Sequence, residues 1–181
     1  MHQAERHIRA WLETFVVGFN LCPFARPYLN TDQLRISVCE ATSPDELRRA
    51  FLSELDVLQR STEEEAATSL LVMPNALADF GQYLDFLDEA QDLLESCSLE
   101  GMFQLASFHP DYCFEGESPD AEGNYTNRAP YPVIHLLREN MLTRVLADFP
   151  EPEAIPGKNV EAMERMGLAQ LEARWKKLFD A

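Results

Sequence analysis

Leu70-Leu71-Val72-Met73 is four apolar residues in a row, closed by Pro74-Asn75. A run this short with a breaker behind it reads as a strand buried on both faces. Upstream, Leu34, Ile36 and Val38 alternate with Arg35 and Ser37, the period of a strand with one buried face. Between them, Ser43-Pro44 with Glu46 makes a capping box with proline at the first helical position, and Leu47, Phe51, Leu55 and Leu58 carry a helix to about Arg60. Ser61 to Ala67 is a polar linker. Downstream, Phe80, Leu84, Leu87, Ala90 and Leu94 trace a second helix, and residues 102–108 a third strand. This alternation predicts an α/β fold, a single domain over residues 1–181, with a small, mainly parallel sheet of about three or more strands covered by helices.

Additional helices are expected at both ends. Ile8, Trp11, Leu12, Phe15 and Val16 fall on one helical stripe, and Gly18 suits its end. Asn20 to Pro27 follows as a compact loop whose prolines resist helix. Tyr131 or Pro132 is expected to open a helix carrying Val133, Leu136, Leu137, Met141, Val145 and Leu146. A final helix from about Asn159 carries Val160, Met163, Leu168, Leu171, Trp175 and Leu178.

The 181 residues include 46% hydrophobic and 10% aromatic residues, enough for an ordinary packed core. The net charge is −16. That argues against nucleic acid and anionic membranes, which are held by Lys and Arg. No Lys or Arg occurs between Arg60 and Arg128, although about half of the acidic residues lie there. No apolar run reaches the roughly 20 residues of a membrane span, and the N-terminus lacks the plan of a signal peptide. Cys22, Cys39, Cys97 and Cys113 make no zinc-type spacing. A cytoplasmic protein with reduced thiols is the expectation.

The chemistry-bearing residues gather between 108 and 139. Phe108-His109-Pro110-Asp111-Tyr112 leaves the third strand at its carboxyl end, where ligands bind in parallel sheets. Residues 110–129 form a loop longer than the roughly 12–15 residues beyond which a structureless loop is usually functional or disordered. Asn124-Tyr125-Thr126-Asn127-Arg128-Ala129-Pro130-Tyr131-Pro132 and His135-Leu136-Leu137-Arg138-Glu139 follow.

Three schemes use these residues. On a helix, His135 and Glu139 share one face; with His109, or with Asp111 in place of Glu139, they would make a site for a divalent metal such as iron or zinc. Alternatively, Arg128 and Arg138 clamp a small anionic molecule, Asn124 and Asn127 orient it, and His109 or His135 acts as general acid or base. The opposing reading has the asparagines closing turns, Arg128 pairing with its acidic neighbours and the tyrosines pinning the loop. Cys22 is a possible nucleophile in a third scheme, and a packing residue otherwise. There is no Gly-rich phosphate loop and no nucleophile elbow.

Together, Asn20-Leu21-Cys22-Pro23-Phe24-Ala25, Phe108-His109-Pro110, the Asn124–Pro132 block and His135–Glu139 resemble the bacterial domain-of-unknown-function family 1415 over nearly the whole chain. The resemblance implies a one-domain bacterial protein and no established activity. The leading expectation is an enzyme acting on a small anionic substrate where the third strand's end, the 110–130 loop and the following helix meet. The alternative is a non-catalytic module that binds a small molecule or a protein, with structural histidines.

Overall fold

A computed structural model describes residues 1–147 and 149–180. One sheet holds β1 (Leu34–Val38), β2 (Thr68–Val72), β3 (Phe103–Phe108) and β4 (Val133–Arg138) in the order β1-β2-β4-β3. Helix α2 (Pro44–Arg60) joins β1 to β2, and α3 (Phe80–Ser96) joins β2 to β3. These elements fall where periodicity put them.

β4 is the correction. Residues 133–138, expected to begin a helix, form a strand; only α4 (Glu139–Ala147) is helical. The physical reason lies in Val133, Ile134, Leu136 and Leu137. All are buried or nearly so, on alternating faces of a central strand, where a helix would need only one apolar stripe. Pro130 and Pro132 hold the entry extended.

The sheet is therefore mixed rather than mainly parallel. β1, β2 and β3 run the same way, as alternation predicts, and β1 pairs with β2 in parallel. β4 runs against them and lies between β2 and β3, antiparallel to both. It satisfies the inner hydrogen-bonding edges of both neighbours, which otherwise would face each other across a gap one strand wide.

Alternation along the strands divides the core in two. Leu71, Met73, Ile134, Leu136 and Phe103 face α2 and α3 with Phe51, Leu55, Tyr83 and Phe86. A polar knot is buried there as well. Glu54, 5% exposed, receives Arg35 at 3.2 Å and the Ser69 hydroxyl at 2.7 Å, so both inward-facing polar strand residues are partnered. The opposite face carries Leu34, Leu70, Val72 and Val133. It is covered by α1 (Gln3–Trp11), the π-helical turn Leu12–Val17, α5 (Ile155–Met166) and α6 (Leu168–Lys177). The N-terminal stripe packs as its spacing predicts, with Ile8, Trp11 and Phe15 at most 1% exposed.

The last helix begins earlier than expected and is two helices. Gly167, at φ 76°, separates α5 from α6 in a backbone conformation that favours glycine. No described helix is long and apolar enough to cross a membrane.

Candidate functional site

His109 leaves the end of β3 and turns toward α3. Its ring lies 5.2 Å from Phe80 and 5.1 Å from Tyr83. The amide of Asp111 donates to Nδ1 at 3.0 Å, so Nε2 carries the proton and donates to the carbonyl of Leu77 at 2.9 Å. Leu77 itself holds φ 57°, a strained value for leucine. Both ring nitrogens are thus spent on backbone, and burial pushes the imidazole pKa down. The ring is a peg that joins the loop after β3 to the turn before α3.

Arg128 and the two asparagines organise the 110–129 loop from within. Asn124, fully buried, accepts from the amide of Phe114 and donates to the carbonyl of Ser118. Asn127 donates to the carbonyl of Ser107. Arg128 donates to the carbonyls of Tyr112 and Pro119, and its guanidinium lies 4.8 Å from the Tyr125 ring centre. Tyr125 in turn stacks on Phe15 and meets Trp175 edge-on. The loop is not structureless: Glu122–Thr126 is a 3₁₀ turn seated on α5, where Gly123 comes so close that a Cβ would meet Val160 at 3.2 Å. The hollow between loop and α5, about 490 Å³, is edged by Glu115, Glu117, Glu122 and Glu164 and, among the described residues, by no Lys or Arg.

Arg138 lies at the far end of β4. Its guanidinium donates to the carbonyls of Leu58, Ser61 and Ala66 and so closes the end of α2. Val133, beside the loop, and Glu139, past that far end, are separated by six strand steps, about 20 Å. Glu139 joins the chain near Met102, whose carbonyl takes its amide. Asp111 is exposed at the opposite end.

His135 lies on the other face of the sheet from His109. It pairs with Leu70 and Ala106 in the ladder, and its ring points with theirs toward α1. The structure therefore does not bring His109, Arg128, His135 and Glu139 into one cleft, and His135 and Glu139 are not successive on a helix. Among the described residues, no three of His, Cys, Asp and Glu stand close enough to hold a metal ion.

What surrounds His135 is a cavity of about 250 Å³. Its floor is the sheet, with Leu34, Leu70, Ala106, Phe108 and Leu137; its roof is Trp11, Leu12, Val16 and the loop from Leu21 to Leu29; Met141, Leu142 and Ile155 close one side. Among the described residues, none that lines it carries a formal charge. His135 Nε2 and the Thr68 hydroxyl are 2.6 Å apart, and the same hydroxyl donates to the Leu136 carbonyl at 2.8 Å. One hydroxyl proton serves both contacts only if Nε2 is the protonated nitrogen. Nδ1 is then a bare acceptor with no partner among the described residues. Removal from bulk water lowers the His135 pKa to about 4, so the ring stays neutral. Cys22 lines the same cavity, and burial pushes its thiol pKa up, which keeps it protonated near neutral pH.

Sequence reasoning named His135 and Cys22 but not Thr68, Trp11, Tyr28 or Ala106 as their companions. The signal was the alternation Val133, His135, Leu137, which reads as one strand face once residues 133–138 are taken as a strand. The sequence profile of a family described as protein of unknown function (DUF1415) matches residues 3–173. No curated protein and no solved structure matches the chain.

Proposed function

The chain belongs to the DUF1415 family of proteins of unknown function, and we propose that it binds a small, uncharged, mainly apolar molecule in the cavity around His135. One observation carries this reading: a 250 Å³ cavity with apolar walls and, among the described residues, no charge in its lining and no partner for the imidazole nitrogen that opens into it. Packed cores seldom hold voids larger than a water molecule, and an apolar cavity of about 150 Å³ suffices for benzene. The roof supports the reading, since π-helical turns such as Leu12–Val17 occur frequently at functional sites.

Binding is favoured over catalysis. A base with a pKa of about 4 accepts hydrogen bonds well but abstracts protons poorly near neutral pH. The anionic-substrate reading has less support, because Arg128 and Arg138 direct their donors to main-chain carbonyls. We infer a reducing, cytoplasmic setting from the four free thiols.

The test is a thermal-shift screen of uncharged aromatic fragments against benzoate and inorganic phosphate. At tenfold excess over Kd, a cavity ligand should raise Tm by about 4 °C. Ala106→Phe, which fills the floor, should abolish the shift. Stabilisation by phosphate or benzoate alone, or fragment binding that survives Ala106→Phe in a folded protein, would contradict the reading.

A further inference from the structure

We propose that the cavity selects an uncharged planar molecule of about indole size that presents one N–H or O–H donor to His135 Nδ1. This rests on the cavity reading above and adds the ligand's chemistry to it.

Size comes first. If about 150 Å³ holds the six heavy atoms of benzene, then 250 Å³ holds a ligand of roughly ten. Trp11, Phe24 and Phe108 supply aromatic surface, which packs well against a flat ring system. Charge comes second. With no Lys, Arg, Asp or Glu among the described lining residues, an ionic ligand would lose its hydration without compensation.

The donor requirement follows from the hydrogen-bond inventory. Thr68 gives its proton to Leu136 and accepts from His135 Nε2. Cys22 offers only a weak thiol donor. Tyr28, half-buried, contributes its ring to the wall. The Trp11 indole N–H also lacks a partner but is itself fully buried, closed off from solvent-sized space; among the described residues, the strong acceptor facing the cavity is the Nδ1 lone pair. Its direction is set by the sheet itself: the ladder fixes the His135 backbone, and the Thr68–Leu136 chain fixes its tautomer. A ligand lacking a donor would leave that nitrogen desolvated and unpaired, which is the condition under which hydrogen bonding discriminates most.

The probes are indole and benzothiophene, which share shape but not the donor. Titrated into the full-length protein, indole should bind about five- to tenfold more tightly, the worth of one hydrogen bond. In His135→Leu that preference should vanish while benzothiophene still binds. The imidazole ¹⁵N spectrum of the unaltered protein gives a second readout that needs no variant: indole should move the His135 Nδ1 resonance upfield, and benzothiophene should not. Equal affinities with no Nδ1 response would overturn the donor requirement and leave the cavity reading intact. An indole preference that survives His135→Leu would overturn the role of His135. If neither probe binds, the cavity reading itself falls.

Discussion

His135 and His109 show how one residue type takes opposite parts. His109 has both nitrogens tied to backbone and cannot offer either to a ligand without detaching the loop it holds. His135 has one nitrogen tied and one open. The pH dependence of stability should report the difference between buried and free imidazole. The unfolded chain titrates near 6.5 and the folded protein near 4, so His135 is neutral in both states above pH 6.5. Below it, the unfolded chain takes up a proton that the fold refuses, and stability falls as pH drops toward 4. Between pH 6.5 and 5 this amounts to about 2 kcal/mol. His7 and His109, also lowered by burial, act in the same direction. Urea unfolding should therefore show an acid limb that is shallower in His135→Leu by up to that amount. An unchanged limb in a folded variant would mean that His135 charges in place.

At the scale of elements, β4 does most to organise the molecule. It pairs with both neighbours, carries His135 on one face, and ends in Arg138 on the other. Arg138 then holds the carbonyls of Leu58 and Ser61, groups that a helix end leaves without intrahelical partners. It acts as a cap for α2 supplied by another element. Arg138→Met keeps an unbranched side chain at the position whose guanidinium lies 5.5 Å from the Phe103 ring centre, and removes the donors. It should cost about 2 kcal/mol and speed hydrogen exchange in the last turn of α2 while leaving indole binding unchanged. Loss of binding with intact exchange in that turn would instead place Arg138 in the ligand's path.

At the scale of the whole molecule, the net charge of −16 is a repulsive field that the fold must withstand. Screening should relieve it. Tm is expected to rise by a few degrees between about 10 and 300 mM sodium chloride, as the Debye length shrinks from roughly 30 Å to below 8 Å. A flat or falling Tm would show that the surface ion pairs, such as Arg144 with Glu63, outweigh the repulsion. The amino-acid sequence by itself determined the local periods. β1, α2, β2, α3, β3 and the N-terminal stripe were legible because each buries one face, or both, in a pattern of 2.0 or 3.6 residues. It also marked the 108–139 run as unusual in content. Only the tertiary structure decided what that run is. A short apolar segment satisfies helix and strand periods equally, and residues 133–138 became a strand because β2 and β3 each left an edge to be paired. Which histidine opens to a cavity followed from that choice, since strand alternation sends His135 to one face of the sheet while the turn after β3 sends His109 to the other.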